Sequence, residues 1–356
     1  MAVDFSSSGS TLSMVGLPIA FVIAFAYVML KPRRRGRTRL RTALRVMLSR
    51  HIWLHPSTLL DFQYVIVGAF AFSALFAYTL LTGFGVGNAV CEGLTRLFGS
   101  RATPAHLPFY VKGLIIFGLY MAFEFAYWFD HFLSHKIAFL WEFHKVHHSA
   151  TVLTPFANWR VHPVDTILYI NIQSIVGGST IGLIQYFAGD AFSMTSTAIC
   201  GIVYALYMAL WGHLQHSQFW ISCTGLAGRI ILSPAHHQIH HSRARVHFDK
   251  NFGASLALWD WLFCTLHIPQ RQNEHLRFGT KGDAHLKGLI PSVLYPFHYA
   301  AKRLLAKFPK GNSASGVAAP MPVSSLAASS SVADAAERVP IQTEPCLSSG
   351  ISEQRW

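Results

Sequence analysis

The chain has 356 residues, of which 52% are hydrophobic and only 13% are charged, against about 25% charged residues in ordinary soluble domains. This composition excludes an ordinary soluble domain and is typical of an integral membrane protein. The formal net charge is +13 at pH 7, and nine lysines or arginines fall between Lys31 and Arg50, directly after an apolar segment. Basic residues in that position indicate a cytoplasmic loop beside anionic lipid headgroups. A membrane, and not a nucleic acid, is therefore the predicted partner.

Apolar runs along the chain predict an all-α integral membrane bundle of about four to five transmembrane helices. The runs cover residues 12–30, 59–82, 107–129, 166–187 and 191–211. Arginines follow the first run instead of preceding it, which favours a membrane anchor with its N-terminus outside over a signal peptide. A glycine-rich turn over 83–87 and an external loop over 88–106 are expected after the second run.

Four segments are expected along the chain. Residues 1–58 hold the anchor helix and a basic amphipathic juxtamembrane helix, and residues 59–278 form the main membrane domain. Residues 279–309 form an amphipathic segment at the membrane interface, because apolar and basic residues recur there at helical spacing. Residues 310–356 are rich in Ala, Ser and Pro without periodicity, which predicts a disordered tail.

Histidines are concentrated in two stretches, 131–148 and 213–241, which hold eleven of the 20 in the chain. Ten of these have helical chelate spacing: His131, His135, His144, His147, His148, His213, His216, His237, His240 and His241. Side chains three or four residues apart share one face of a helix and can bind one ion. A single ion takes about three or four protein ligands, so ten imidazoles predict a dinuclear site. Imidazole binds iron, zinc, copper and nickel alike, so the spacing leaves the metal open.

Other uses of clustered histidines fit the pattern less well. A pH sensor needs no chelate spacing, and a haem needs two axial histidines and not ten. A zincin protease would carry H-E-x-x-H, which is absent from the sequence. A metal-binding transporter or sensor remains as an alternative, but it predicts ionisable residues at mid-membrane depth, and the charges of the apolar runs lie near their ends.

The histidine motifs resemble those of the fatty acid hydroxylase/sterol desaturase superfamily, which consists of membrane-bound non-haem di-iron oxygenases. The resemblance covers residues 124–265, about 40% of the chain. The matching motifs are His131-x-x-x-His135, Glu142-Phe-His144-Lys-Val-His147-His148, Arg160-x-His162-Pro163, Ser233-Pro-Ala-His236-His237-Gln-Ile-His240-His241 and Trp259-Asp260-Trp261. The chain departs from the family where Phe132 stands in place of an arginine, and in the His213-Leu-Gln-His216 motif. His216 stands at the position of the family's ligand. His213 is either a further metal ligand or a residue that contacts a ligand from behind.

The resemblance implies that the ten histidines bind two iron ions, which zinc can replace in isolated protein, and that there is no haem. It implies O2-dependent hydroxylation of a lipid C–H bond with two external electrons, the lipid being fatty acyl, sterol or related. The alternative on the same scaffold is a lipid or sterol desaturase. Residues expected behind the ligands, where they would orient the imidazoles, are Glu124, His162, His236 and Asp260.

The remaining expectations concern partners and location. A lipid substrate would enter from the bilayer, and a separate ferredoxin or cytochrome b5-type donor with its reductase would supply electrons. Counting the apolar runs from an outside N-terminus places both histidine stretches on the same face as the basic loop, which is the cytoplasmic face. Together with the compact size, this predicts a multi-pass protein of a bacterial inner membrane. The substrate, the position oxidised and the oligomeric state stay open.

Overall fold

The computed structural model describes residues 11–30, 39–69, 81–189, 202, 206–283 and 286–306. The α-helices are α1 Thr11–Leu30, α2 Arg39–Met47, α3 Arg50–Trp53, α4 Pro56–Val67, α5 Gly83–Phe98, α6 Phe109–Lys136, α7 Ala138–His148, α8 Pro163–Ala188, α9 His213–Gln215, α10 Gly225–Ile230, α11 Pro234–His240, α12 Leu258–Leu262 and α13 Leu289–Ala306. Short 3-10 helices cover Pro155–Trp159 and Arg245–His247, and a π-helix covers Met208–Gly212. Within these ranges there is no β-strand, so the predicted all-α fold is confirmed.

Two helices, α6 and α8, are long and apolar enough to cross a bilayer. Only 17% of the most apolar window of α6 and 33% of that of α8 is buried inside the protein. Core helices of a soluble protein would be mostly buried, so this exposed apolar surface favours a membrane protein. The predicted count of four to five spans is not confirmed, because residues 70–80 of the second run and most of 190–205 in the fifth lie outside the described residues.

The predicted turn over 83–87 is wrong because helix α5 occupies it, and the predicted loop over 88–106 is non-helical only from residue 99 onwards. Thr82 caps the helix by accepting a hydrogen bond from the backbone N–H of Gly85 at 3.0 Å. The three glycines lie in the first turns of the helix and do not form a turn, and the backbones of α5 and α8 lie close together. A side chain on Gly178 of α8 would meet the carbonyl oxygen of Gly83 at 2.6 Å. Small residues let two helix backbones approach closely in a membrane. A rule that predicts turns from glycine content does not recognise this second role of glycine.

Both amphipathic helices exist, with different bounds from those predicted. Helix α2 lies within the basic stretch and buries Met47 against Ala20 and Ala24 of α1. Helix α13 occupies Leu289–Ala306 of the predicted segment 279–309, and Ser292 in its first turn forms a 2.8 Å hydrogen bond with Tyr64 Oη of α4. The site and both helices lie in one compact unit, Met1–Leu304. The boundaries after residues 58 and 278 stay predictions, and the tail over 310–356 lies outside the described residues.

Candidate metal centre

Helix α6 continues past its apolar run, so that His131 and His135 lie one turn apart in its last two turns. Ile137 is extended and ends α6. The chain then starts α7, whose final residues include His144, His147 and His148. An immediate restart of the helix brings two histidine motifs together at one end of the apolar helix α6. The local fold therefore converts sequence spacing into a shared site.

Cluster one contains five imidazoles whose donor atoms all lie within 4.8 Å of one another: His131, His135, His144, His148 and His240. His148 is at its centre. The Nε2 atom of His148 lies 3.1 Å from that of His135 and 3.2 Å from that of His144. The Nε2 atom of His240 lies 3.1 Å from the same atom. Four histidines from the three helices α6, α7 and α11 thus direct their Nε2 atoms to one point.

The second nitrogen of several cluster-one rings is held by an acceptor. The Nδ1–H of His131 donates to the carbonyl oxygen of Phe252 at 2.8 Å, and that of His240 donates to the carbonyl oxygen of Lys250 at 2.8 Å. The Nδ1 atom of His144 lies 2.9 Å from a carboxylate oxygen of Asp165. Because a carbonyl oxygen can only accept, Nδ1 carries the proton and Nε2 presents its lone pair to the cluster.

Cluster two contains four buried imidazoles: His147, His216, His237 and His241. The Nε2 atom of His216 lies 3.0 Å from that of His147, 3.0 Å from that of His241 and 3.1 Å from that of His237. The Nδ1 atoms of His216, His237 and His241 are buried and have no hydrogen-bond partner among the described residues. Packing, and not hydrogen bonding of the second nitrogen, orients these rings.

The two clusters adjoin each other. The rings of His148 in cluster one and His241 in cluster two are stacked with their centroids 4.4 Å apart. His147 and His148 are neighbours in sequence but belong to different clusters. Nine of the ten histidines with chelate spacing therefore form two contiguous groups, as a dinuclear site requires.

The donor set fits two metal ions. Converging Nε2 lone pairs at 3.0–3.2 Å repel one another unless a cation or a proton lies between them. Burial lowers the pKa of His147 and of His240 to about 3, so protons do not fill this role at neutral pH. Burial and neighbouring imidazoles also hold the pKa of His148, His216 and His237 well below the usual value. Neutral imidazoles with inward lone pairs are the form that binds iron or zinc.

The structure does not bring His213 into either cluster. Its ring stacks on Trp159 with centroids 5.6 Å apart, and its Nδ1 atom lies 3.5 Å from the side-chain nitrogen of Asn158. His213 is three residues from His216, but α9 ends at Gln215 and His216 leaves helical geometry with a ψ of 68°. The helical face on which the chelate spacing depends therefore ends between the two histidines.

Two of the residues expected behind the ligands support a loop instead of contacting an imidazole. Glu124 accepts hydrogen bonds from the hydroxyl and the backbone N–H of Ser255 at 2.7 and 3.1 Å. Asp260 accepts from the backbone N–H groups of Phe252 and Gly253, both at 2.8 Å. Since the Phe252 carbonyl orients His131, Asp260 acts on cluster one through the backbone. Glu124 acts at a greater distance, through the other end of the same loop.

The other two expected residues cap helices and do not orient ligands. His162 accepts a hydrogen bond from the backbone N–H of Val164 at the start of α8 and donates to the carbonyl oxygen of Val293 at 2.9 Å. His236 accepts from Ser233 N–H at 3.1 Å and donates to the carbonyl oxygen of Gly228 at 3.0 Å. All ring nitrogens of both residues are used away from the clusters, so the expectation that they lie behind the ligands is not met.

Sequence reasoning offers Asp165 only as one of several nearby carboxylates, behind Glu124, and misses the two backbone carbonyls that hold second nitrogens. Asp165 lies in the first turn of α8 and is 21 residues from His144 in sequence. Its position just after the Arg160-x-His162-Pro163 motif is the one sequence signal that points to Asp165. Its contact with His144 depends on the packing of α8 against α7. The carbonyl groups of Lys250 and Phe252 carry no side-chain signal, because every residue has one.

Comparison with known proteins agrees with this geometry. The sequence model of the fatty acid hydroxylase family matches residues 116–265, which contain both clusters. The ornithine lipid hydroxylase OlsE of Rhizobium tropici is 30% identical over 252 residues, or 66% of this chain and 69% of the relative. Human alkylglycerol monooxygenase is 26% identical over 51% of this chain and 36% of its own. The Delta(7)-sterol 5(6)-desaturase erg3C of Aspergillus fumigatus is 31% identical over 48% of this chain and 54% of its own.

No solved structure matches the chain. The relatives nevertheless include two hydroxylating enzymes and a desaturase, and all three are oxidoreductases by name. The matched region, the two histidine clusters and the apolar helices agree with one another. The chain therefore belongs to the fatty acid hydroxylase/sterol desaturase superfamily and is an oxidoreductase.

Proposed function

We propose that the protein is a membrane-bound non-haem di-iron monooxygenase that hydroxylates a C–H bond of a lipid with O2 and two electrons from a separate donor. The observation that carries the proposal is the convergence of nine imidazoles in two adjoining groups at one end of an apolar helix. Two contiguous sites suit a reaction that needs two metals, whereas a structural site needs one closed coordination shell.

The chain's residues would bind the metals and keep them in place. His131, His135, His144, His148 and His240 would hold one iron, and His147, His216, His237 and His241 the other. When bound, the iron pair supplies O2 activation and the removal of hydrogen from an unactivated C–H bond. Asp165 and the carbonyls of Lys250 and Phe252 keep three rings in the required tautomer and raise their basicity as ligands.

Aromatic side chains next to cluster one would exclude water and contact the lipid. Phe252 packs edge-on against His131 and His135 with centroids 5.5 and 5.0 Å apart. Trp141 lies 4.9 Å from the ring of His135. A dry, apolar surround protects a strong oxidant from side reactions and suits an acyl or ring hydrocarbon. We infer that this surround binds the reacting part of the lipid.

The proposal extends to the setting of the enzyme. We infer a multi-pass protein of a bacterial inner membrane with four to five spans and the histidine clusters on the cytoplasmic face. A ferredoxin or cytochrome b5-type donor would reach them there. The basic charge of the stretch before α3 supports the cytoplasmic assignment. The similarity to an ornithine lipid hydroxylase over two thirds of the chain makes acyl membrane lipids the first substrates to test.

The test combines metal analysis with lipid analysis. Full-length protein purified in detergent is expected to hold two iron ions per chain. Cells producing it under 18O2 are expected to accumulate a lipid whose mass rises by one 18O atom, and cells producing His147→Ala are not. Fewer than two metal ions per chain, or a lipid profile equal to that of the variant, would overturn the proposal.

Desaturation is the second candidate, and the similarity to a sterol desaturase supports it. The same experiment separates the two reactions. A hydroxylated product retains one oxygen atom from O2, whereas a desaturated product loses two hydrogens and retains none. An unlabelled lipid that is lighter by two hydrogens would assign the desaturase activity instead.

A further inference from the structure

A third group of metal-binding side chains lies outside the two clusters. Its members are His247, His267 and Glu274, whose donor atoms lie within 4.8 Å of one another. His247 ends the 3-10 helix Arg245–His247 and is buried, whereas His267 and Glu274 are half-buried on the loop that follows α12. The donor atoms within cluster one, and those within cluster two, also lie within 4.8 Å of one another.

The contacts within this group are not those of an ordinary hydrogen-bonded pair. The Nε2 atom of His247 lies 3.6 Å from a carboxylate oxygen of Glu274, which is too long for a hydrogen bond. Its Nδ1 atom is buried and has no hydrogen-bond partner among the described residues. The His247 and His267 rings meet edge-on with centroids 5.1 Å apart. A buried imidazole held in this way lacks the hydrogen bonds that would usually stabilise it.

We propose that His247, His267 and Glu274 bind a divalent transition-metal cation such as Zn²⁺. Two imidazoles and one carboxylate form a common three-ligand set for zinc, with water in the fourth position. Ligands about 2.0–2.1 Å from one tetrahedral ion lie about 3.3 Å apart, so the 3.6 Å separation needs only a small closure. The partial exposure of His267 and Glu274 gives an ion a route from solvent.

The charges around the group are compatible with a cation. Burial lowers the pKa of His247 and of His267, so both imidazoles are neutral and ready to bind at pH 7. Glu274 supplies the negative charge. The ammonium group of Lys250 also lowers the pKa of His267, but it is held by the carbonyl oxygen of Cys264, to which it donates at 3.3 Å. Arg245 is exposed at the start of the 3-10 helix.

The third group lies behind the segment that orients cluster one. The backbone N–H of His267 donates to the side-chain oxygen of Asn251 at 2.7 Å, and the Asn251 amide donates to the His267 carbonyl at 2.9 Å. Asn251 stands between Lys250 and Phe252, whose carbonyls hold His240 and His131. Asn251 has a φ of 60°, which only a well-supported backbone maintains in a residue other than glycine. A cation on His267 would therefore act as a positioning element for cluster one.

The test measures Zn²⁺ binding by full-length protein in detergent, after purification with iron. With free Zn²⁺ set by a competing chelator, wild type is expected to bind one more Zn²⁺ per chain than Glu274→Gln and His267→Gln. Loss of a ligand should weaken this site by more than about 100-fold, the upper range for loss of a residue behind a ligand. Glu274→Gln keeps an amide oxygen that can accept the bond from Gln270 N–H, so its fold is expected to be retained.

The matched control is His275→Gln, which changes an exposed histidine next to Glu274. It is expected to bind Zn²⁺ as wild type does. Hydrogen exchange over 245–252 and 266–276 should slow with Zn²⁺ in wild type and in the control, but not in Glu274→Gln. Equal Zn²⁺ binding by wild type and Glu274→Gln, or equal loss in the control, would overturn the proposal. Because the readout is a difference between variants, it does not depend on whether clusters one and two hold iron or support hydroxylation.

Discussion

Clusters one and two differ in how their imidazoles are held. In cluster one, acceptors outside the cluster bind the Nδ1–H groups of His131, His144 and His240. In cluster two, the Nδ1 atoms of His216 and His237 have no hydrogen-bond partner among the described residues. Both clusters are buried to a similar degree, so the difference is one of orientation and not of solvent access.

This difference indicates how far the ligands of each cluster are held in place before metal binds. Hydrogen bonds to the second nitrogen fix ring orientation and tautomer, and their removal typically costs 10–100-fold in metal affinity. Cluster one is therefore preorganised by α8 and by the loop over 249–256. Cluster two depends on packing among its four rings and on the metal itself. We expect the two sites to respond differently to the same perturbation.

The largest effect is expected from removal of a ligand in either cluster. His147→Ala should lose turnover and the metal of cluster two, and His148→Ala should lose turnover and the metal of cluster one. Metal content per chain and product formation measure both. His213→Gln is the matched control because His213 lies outside both clusters. Full activity of His147→Ala, or loss of a metal ion from His213→Gln, would contradict the assignment of ligands.

The second-largest effect is expected from removal of a hydrogen-bond acceptor that holds a cluster-one imidazole. Asp165→Asn should lower the metal affinity of cluster one by about 10–100-fold and that of cluster two by less, because the Asp165 charge acts on His147 without a hydrogen bond to it. The reason is that the carboxylate accepts from the Nδ1–H of His144 at 2.9 Å. Competition with a graded series of chelators measures the affinities. Ser134→Ala removes the weaker 3.3 Å contact to Asp165 and serves as the control with a small effect. Equal weakening of both sites in Asp165→Asn would contradict the difference between them.

Timed removal of metal should sharpen the comparison further. With excess chelator, wild type should lose metal in two phases, with the faster phase from cluster two by about tenfold. His148→Ala, which keeps only the cluster-two metal, is expected to show the fast phase alone. His147→Ala is expected to show the slow phase alone. A single phase in wild type, or reversed phases in the variants, would indicate that outer hydrogen bonds do not control metal retention.

The smallest expected effect is the pH dependence of the metal-free protein, which both clusters share. Burial holds the folded-state pKa of His147 and His240 at about 3, whereas an unfolded histidine titrates near 6.5. The unfolded state therefore takes up protons first as pH falls. Stability should be fully present above pH 6.5 and decrease by about 1.4 kcal/mol per pH unit for each residue between about pH 6.5 and 3.

Thermal unfolding of the metal-free protein in detergent at pH 7.5, 6.5 and 5.5 measures this loss. The slope of the midpoint against pH should shrink in His240→Gln, since one of the buried imidazoles with a lowered pKa is removed. Metal-loaded protein should resist acid further, because the ions compete with protons for the same nitrogens. A midpoint that does not change over this range would contradict the neutral state assigned to the buried imidazoles.

Local spacing predicted most of the site, and long-range packing decided the rest. His237 and His241 follow helical periodicity, so their shared face is readable from sequence. The same rule failed for His213, because the helix ends before His216. Asp165 became an acceptor only through the packing of α8 against α7. Helix α5 was missed because Gly83, Gly85 and Gly87 give its first turns the composition of a turn.

Assignment of each histidine to a cluster was also beyond sequence reasoning. His147 and His148 are adjacent, but a helix turns by about 100° per residue and directs them to different clusters. His240 joins cluster one, whereas its neighbours His237 and His241 join cluster two. The i, i+3 and i, i+4 rules identify which residues share a face. They do not show which other helix that face meets.

This interleaving has a consequence for how the protein can change over time. Because α7 and α11 each contribute to both sites, neither site is a separable segment of the chain that could be transplanted or duplicated alone. Inserting one residue before His147 would rotate the later ligands by about 100° and disturb both sites together. A change of length in either helix is therefore expected to disturb both sites, whereas substitution of one ligand removes the metal of one site.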